Sequence, residues 1–151
     1  GKEFTRITFY PDLRRFGMRK LDNDITSLMM KRVHDIAGST TKRCRVWLNG
    51  EQLQTTCFHD YINLYLGEPG RQAENPVIYE RCNDRWEVAV SVTDGNFQQV
   101  SFVNSICTLR GGTHVTHVAD QLIEAILKTV KAKNKGGIDI KPAMVRNHLW
   151  V

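Results

Sequence analysis

The stretch VIYERCNDRWEVAVSVTDGNFQQVSFVN, residues 77–104, decides the fold class of this chain. β-Branched and aromatic residues recur in it, and the pairs Asn83-Asp84 and Asp94-Gly95 interrupt it with turn signals. The pattern predicts three strands that form an antiparallel meander, over 77–82, 85–92 and 97–104. Alternation along the middle strand predicts that four residues form its buried face: Trp86, Val88, Val90 and Val92.

A long amphipathic helix is predicted to follow, between Gly111-Gly112-Thr113 and Gly136-Gly137. Its apolar stripe is long enough to cover a meander and comprises Val115, Val118, Ala119, Leu122, Ile123, Ile126 and Val130. The remaining elements predicted are a short strand at 138–140, a turn or helix beginning near Pro142, and a strand at 148–151. Strands in one run with helices packed on them indicate an α+β fold.

The first 67 residues carry a second set of signals. Alternation predicts a strand over 4–10, and helical spacing predicts an amphipathic helix over 21–37, with Asp22 as N-cap and Gly38 as its C-terminal stop. Asn49-Gly50 predicts a β-hairpin. A short helix is predicted from an N-cap at Thr56 to a stop at Gly67. The apolar face of that helix comprises Phe58, Tyr61, Ile62, Tyr65 and Leu66.

Composition restricts the class of protein. The chain has 151 residues and a formal charge of 21 − 16 = +5, and no apolar run approaches the ~20 residues that a membrane span needs. Residues 1–55 hold 11 Lys+Arg and 6 Asp+Glu, whereas 56–151 hold 10 of each, so the basic excess lies in the first third. The four cysteines form no CxxC pair, which excludes a zinc ribbon and favours a reduced, intracellular chain.

The two ends of the sequence are unusual for a complete protein. The chain begins at Gly1 and stops inside the apolar run Leu149-Trp150-Val151, whereas natural termini are usually polar and frayed. We therefore expect it to be a piece of a larger protein.

Three small constellations could in principle carry chemistry. His114 and His117 lie three residues apart, but a metal site needs a further ligand, so ordinary surface histidines are favoured. Cys57 and His59 lack a third, orienting group for catalysis. Gly111-Gly112-Thr113-His114 could cradle a phosphate, but it lacks a known phosphate-loop spacing, and a tight turn with a threonine N-cap is the simpler explanation.

Basic residues form two clusters. The first consists of Lys128, Lys131, Lys133 and Lys135 at the end of the long helix. Cations there are favoured by the helix dipole, and lysines that project past a helix end also suit phosphate binding, so both explanations stay open. The second cluster, which a solvated loop explains, consists of Arg14, Arg15, Arg19 and Lys20.

Eight short motifs occur in an order that resembles eukaryotic-type DNA topoisomerase II over essentially the whole chain. They are FYPDL (9–13), HDIAGST (34–40), VWLNG (46–50), NDRWEV (83–88), FQQVSFVNSI (97–106), GGTHV (111–115), KNKGG (133–137) and NHLWV (147–151). DRWEV (84–88) and KNKGG resemble the eukaryotic-type enzyme more than bacterial gyrase.

The resemblance implies a division into two parts. Residues 1–55 would be the C-terminal strand, helix and hairpin of a GHKL-type ATPase lobe, and 56–151 most of a transducer domain with a ribosomal-protein-like fold. The family uses ATP and Mg²⁺ to pass one DNA duplex through a transient double-strand break in another. The transducer relays nucleotide state to the cleavage core.

The resemblance also implies where site residues lie. The segment that contacts DNA would be Lys131, Ala132 and Lys133, helped by Lys135, although Ala132 departs from the family's run of lysines. No catalytic, metal-binding or complete ATP-binding set is expected here. The ATP-contacting asparagine and glycine-rich loop would precede Gly1, and a Gln-Thr-Lys loop that reaches the γ-phosphate would follow Val151.

The parent would be a nuclear homodimer that acts on duplex DNA without sequence specificity and has no membrane segment. The isolated chain is expected to be inactive and to bind no cofactor. Two alternatives stay open: a stand-alone nucleic-acid-binding or ribosome-associated module on the same fold, and a purely structural domain whose lysines only cap a helix.

Overall fold

The computed structural model of the chain describes residues 3–67, 75–134, 137 and 139–151. These residues form four α-helices, seven strands and one short 3₁₀ helix. The helices are α1 (Asn23–Ser39), α2 (Phe58–Leu66), α3 (Thr113–Lys133) and α4 (Pro142–Asn147). The strands are β1 (Trp47–Leu48), β2 (Glu51–Gln52), β3 (Ile78–Asn83), β4 (Trp86–Val92), β5 (Phe102–Val103), β6 (Ile106–Cys107) and β7 (Leu149–Trp150). The α+β class predicted from the sequence is confirmed.

The strand predicted over 4–10 is wrong. These residues have no regular structure, and Phe4 and Tyr10 are 77% and 93% exposed. A strand needs a neighbour for its backbone hydrogen bonds, and none of the described segments pairs with this one. A 3₁₀ helix, Leu13–Phe16, follows where a loop was predicted.

Helix α1 confirms its predicted N-cap and corrects its predicted end. Asp22 accepts a 2.9 Å hydrogen bond from the Ile25 amide. Gly38 lies inside the helix and is buried, and a Cβ atom at this position would lie 2.5 Å from Tyr61 Cβ. This glycine therefore permits the close approach of another helix rather than ending its own.

Two of the predicted turns behave as expected, and one predicted cap does not. Asn49 and Gly50 have φ of 52° and 89° between β1 and β2, as a type I′ hairpin turn requires. Gly67 ends α2 with its amide bonded to Asn63 O. Thr56, however, is not the N-cap of α2, which is Cys57, because the Thr56 amide and hydroxyl both donate to Asp60 Oδ2 at 2.9 and 2.8 Å.

The sheet corrects the predicted meander. β3 and β4 form the expected antiparallel hairpin, but the third strand is β7, which pairs with β4 through Ser91↔Trp150 and Val92↔Leu149. Residues 98–100 lie on the far side of β7 in parallel: Gln98 donates to Leu149 O at 3.1 Å, and Val151 donates to Gln98 O at 3.1 Å. The apolar run at 149–151 therefore takes an interior position, between β4 and residues 98–100, and Leu149 is 5% exposed whereas Gln98 is exposed.

The rest of the predicted third strand turns back on itself. β5 pairs with β6 around Asn104 and Ser105, whose φ values of 50° and 63° are left-handed. The strand predicted at 138–140 is also wrong at Asp139 and Ile140, which have no regular structure; Ile138 lies outside the described residues.

Helices cover both faces of the sheet. On one face, α3 packs against the strands, and Ala119, Ile123 and Leu149 form the buried core there. Val90 and Val145 lie at the margin of this core. On the other face, α2 residues such as Phe58 and Tyr61 line a cavity together with Ala89, Ser91 and Trp150. Because both faces are covered, alternation misidentified the buried face of β4: Ser91 is buried, whereas Trp86 and Val92 are 40% and 42% exposed.

The two C-terminal helices follow the sequence closely. All predicted stripe residues of α3 are buried or half-buried, and α4 begins with Pro142 in its first turn, as predicted. Arg146 links the two helices, because its guanidinium lies 3.8 Å from Asp120 Oδ1 and stacks on the Phe97 ring. No helix among the described residues is long and apolar enough to cross a membrane.

Candidate functional site

The predicted DNA-contacting segment lies at the exposed C-terminal end of α3. Lys131, Ala132 and Lys133 are all exposed in its last turn, and the Asn134 amide caps the helix through Val130 O at 2.8 Å. Cations are favoured at this end of the helix dipole, so the position is electrostatically suitable for lysines with or without a ligand. Lys135 lies outside the described residues.

The lysines of this helix end differ in how they are engaged. Lys128 Nζ lies 2.8 Å from Glu124 Oε1, and the hydrogen bond from Lys128 lowers the pKa of the Glu124 carboxyl. Within the described ranges, neither Lys131 nor Lys133 forms an ion pair. At about 100° per residue, their Cα–Cβ bonds lie roughly 200° apart around the helix axis, so the two lysines project from nearly opposite sides of the helix.

The second basic cluster lies on and after the 3₁₀ helix. Asp12 Oδ1 accepts a 3.4 Å hydrogen bond from the Arg15 amide, and Gly17 ends the helix in the left-handed region at φ 67°. Arg14, Arg15, Arg19 and Lys20 are all exposed, as a solvated segment predicts.

The glycine-rich entrance to α3 is a packed polar cluster. Gly112, not Thr113, occupies the N-cap position, so the predicted threonine cap is wrong. His114 is half-buried rather than a surface histidine, because its Nε2 lies 3.1 Å from Thr108 Oγ1 and 3.2 Å from Ser101 Oγ. These contacts hold the β6–α3 connection against the segment before β5.

The other histidines singled out in the sequence, His117 and His59, contact neighbouring side chains and form no catalytic or metal-binding group among the described residues. His117 is exposed and hydrogen-bonds Gln121 at 2.9 Å, and nowhere in the described residues do three or more metal-ligating side chains cluster. His59 packs edge-on against Tyr79, with ring centroids 5.1 Å apart. Burial, followed by the 2.8 Å hydrogen bond to Glu87, raises the pKa of Tyr79 to about 12.

A buried polar junction between α1 and α2 was missed at the sequence level. Asp35 is 3% exposed, and its Oδ1 accepts hydrogen bonds from Tyr61 OH at 2.6 Å and from Lys31 Nζ at 2.8 Å.

This junction changes the pKa of both partners of Asp35. Burial and then the bond to Asp35 raise the pKa of Tyr61. Burial acts to lower the pKa of Lys31, but the hydrogen bond to Asp35, aided by nearby negative charge, outweighs it and raises that pKa. Asp35 and Gly38 both occur in the motif HDIAGST, but nothing in the sequence pairs them with a tyrosine 26 positions away.

A second set of bonds joins α1 to the β5–β6 turn. Arg32 donates to Ser105 O at 2.9 Å, and Ser105 Oγ donates to Ser39 O at 3.1 Å. The left-handed backbone at Asn104 and Ser105 places this turn beside α1. Helix α1 is therefore fixed to two separate elements of the following segment.

The family follows from comparison with known sequences. A sequence model of the family described as DNA gyrase B matches residues 57–151, and relatives of high identity match the whole chain. The chain belongs to the type IIA DNA topoisomerase family. Within it, the sequence resembles the eukaryotic type.

The individual relatives are consistent with one another. The chain is 52% identical to DNA topoisomerase 2 of Drosophila melanogaster and 48% identical to DNA topoisomerase 2-alpha of Sus scrofa, each over 153 aligned residues covering all of this chain and 10% of the relative. The chain thus spans about a tenth of the length of these curated relatives.

Solved structures extend the likeness to the fold. The crystal structure of the ATPase region of Saccharomyces cerevisiae topoisomerase II matches with a TM-score of 0.80 at 43% identity, over 93% of this chain and 34% of that one. The ATPase and transducer domains of DNA topoisomerase II from Balamuthia mandrillaris match with a TM-score of 0.80 at 39% identity, with the same coverage.

Proposed function

We propose that this chain is the part of an ATP-dependent type II DNA topoisomerase in which the end of the ATPase lobe meets the transducer domain. Residues 1–55 would belong to the GHKL-type lobe and 56–151 to the transducer, with its ribosomal-protein-like fold. The observation that carries the proposal is the 48–52% identity to DNA topoisomerase 2 over the entire chain, together with the likeness to ATPase-region structures.

The parent enzyme would hydrolyse ATP with Mg²⁺, act as a nuclear homodimer, and pass one duplex through another. This segment would relay the nucleotide state toward the cleavage core. The α1 contacts support a relay role, since Asp35, Arg32 and Ser39 of the first part bond to Tyr61 and Ser105 of the second. The segment alone is proposed to be inactive and to hold no cofactor.

Contact with duplex DNA would come from Lys131, Ala132 and Lys133, with Lys135 beside them. The exposure of Lys131 and Lys133 supports this role, as does the lack of an ion pair for either within the described part of the chain. Such charges bind the phosphate backbone and read no bases, so the contact would not depend on sequence.

Strand passage by the gene product that contains this chain tests the proposal. We expect it to separate interlinked DNA circles only when ATP and Mg²⁺ are both supplied, and we expect the 151-residue chain alone to hydrolyse no ATP. A gene product that binds nucleic acid or ribosomes yet separates no circles would contradict the proposal and favour a binding module.

A further inference from the structure

A line of three polar side chains runs from α1 through α2. Tyr61 has one hydroxyl proton and lies 2.6 Å from the Asp35 carboxylate, which can only accept. Tyr65 OH lies 3.1 Å from Tyr61 OH, so Tyr65 is the donor in that pair. The direction of donation is therefore Tyr65 to Tyr61 to Asp35.

Aromatic contacts extend this line into the strands. The Tyr65 ring meets Trp150 of β7 edge-on, with centroids 5.9 Å apart, and the Tyr61 ring meets Phe102 of β5 edge-on at 5.4 Å. Trp150 in turn pairs with Ser91 of β4 and bridges to Gln98. The line consequently joins α1 to β7, which lies between β4 and residues 98–100.

The geometry of this line restricts the orientation of α2 more than apolar packing would. Tyr61 is 3% exposed and lies where a Cβ atom at Gly38 would be 2.5 Å from it, so a shift that brought another residue of α1 to this position would press its side chain into Tyr61. A buried carboxylate is costly unless its hydrogen bonds are kept, so rotation that breaks the Tyr61 bond is opposed as well. Apolar contacts alone have no such directional requirement.

We propose that Tyr65, Tyr61 and Asp35 form a positioning element that makes α1, α2 and β7 move as one body. Nucleotide-driven motion of the ATPase lobe would then be transmitted to the transducer sheet without relative movement of these three elements. This inference rests on the proposed function and assigns its relay to named side chains.

Conservative hydroxyl deletions in the whole gene product test this positioning element. Tyr65→Phe removes only the outer hydroxyl of a side chain that is 40% exposed, so the fold is retained, and Tyr61→Phe removes the central one. Tyr79→Phe is the matched control, because it deletes a hydroxyl bonded to Glu87 on β4, outside the line. The measured quantity is the number of ATP molecules hydrolysed per DNA passage event.

Both test variants should consume more ATP per passage than the unmodified enzyme, by about 2- to 30-fold, the range that corresponds to couplings of about 0.5–2 kcal/mol. The control should leave the ratio unchanged. A purely structural role would lower the melting temperature while leaving the ratio constant, and that result overturns the inference alone. An unmodified gene product without ATP-dependent passage would overturn the proposed function and this inference together.

Discussion

Tyr61 donates a 2.6 Å hydrogen bond to Asp35, joining two helices across 26 residues of sequence. Both residues are 3% exposed, and Lys31 supplies a second partner to the carboxylate. The contact is polar within an otherwise aromatic environment of Tyr65 and Phe102. Breaking it leaves a buried charge with one partner fewer, which makes it a sensitive point of the structure.

Tyr61→Phe should lower the free energy of unfolding by about 1–3 kcal/mol, because Asp35 then stays buried without its shortest hydrogen bond. Urea denaturation followed by circular dichroism measures the change. Tyr79→Phe is the control and should cost less, because the Tyr79–Glu87 bond is exposed. Equal losses of unfolding free energy in the two variants would show that the Tyr61–Asp35 bond contributes no more to stability than an exposed hydrogen bond.

Gly38→Ala should destabilise the protein although alanine is the better helix former by about 1 kcal/mol. The added Cβ would lie 2.5 Å from Tyr61 Cβ, so α1 and α2 would have to separate, and overpacking of this kind costs about 1–3 kcal/mol. Ser27→Ala, at an exposed position of the same helix, is the control and should be neutral or slightly stabilising. Thermal denaturation compares the two variants, and a stabilised Gly38→Ala protein would show that the helices are not in close contact.

Asp60 should contribute stability that depends on acid pH. The backbone hydrogen bond from Thr56 is the main reason why the pKa of Asp60 is lowered, so its contribution is complete above the ordinary pKa of about 4 and is lost as the pH falls through the lower folded value. Asp60→Asn should therefore be less stable than the unmodified protein at pH 7, and the difference should shrink below about pH 4.

Denaturation curves at about pH 7, 5 and 3, which bracket the ordinary pKa of a carboxyl, give this comparison directly. Thr56→Val keeps the backbone donor but removes the hydroxyl that bonds Asp60 at 2.8 Å, so it should show an intermediate pH dependence. A stability difference that is the same at every pH would mean that the Asp60 charge is not involved.

Lys131→Ala combined with Lys133→Ala should weaken duplex DNA binding by the gene product. The slope of log affinity against log salt concentration should become shallower by up to about 0.9 for each phosphate that is no longer neutralised. The combined Arg81→Ala and Arg85→Ala variant is the control, because it removes the same formal charge from the β3–β4 hairpin. Trp86, next to Arg85, contacts His117, which lies roughly 20 Å along α3 from Lys131. An equal fall in slope for both variants would indicate a diffuse charge effect rather than a site.

Leu149→Ala should cost about 2–5 kcal/mol of unfolding free energy, the range for a buried leucine in a core. Leu149 is 5% exposed and packs with Ala119 and Ile123. Val92→Ala, on the strand that pairs with it, is the control, since Val92 is 42% exposed. A destabilisation at Leu149 no larger than that at Val92 would contradict the interior position of β7.

Sequence patterns predicted the elements whose signals are local. The N-cap at Asp22, the Asn49-Gly50 turn, the stop at Gly67 and the stripe of α3 each depend on residues a few positions apart, and all are confirmed. The lysines at the end of α3 were located in the same way. Their role in DNA binding remains a prediction, because charge and exposure suit both helix capping and phosphate contact.

Predictions that depended on distant partners were the ones that went wrong. Whether 97–104 or 149–151 lies beside β4 depends on which run gains more from burial on both faces, and the apolar 149–151 run prevails. Gly38 was predicted to end α1 because glycine is common after helices, but it is needed inside the helix because Tyr61 lies against it. The Asp35–Tyr61 bond and the parallel alignment of β7 with residues 98–100 likewise exist only after helices and strands have packed.

The sequence by itself determined the α+β class, the approximate places of the helices, the type IIA topoisomerase family and the place of the basic segment, because each depends on short-range periodicity or on ordered motifs. Tertiary structure decided the strand order, the two-sided burial of the sheet and the polar junction between α1 and α2. These features arise from burial and hydrogen bonding between residues far apart in the chain, whose free energy depends on the whole arrangement and not on any local pattern.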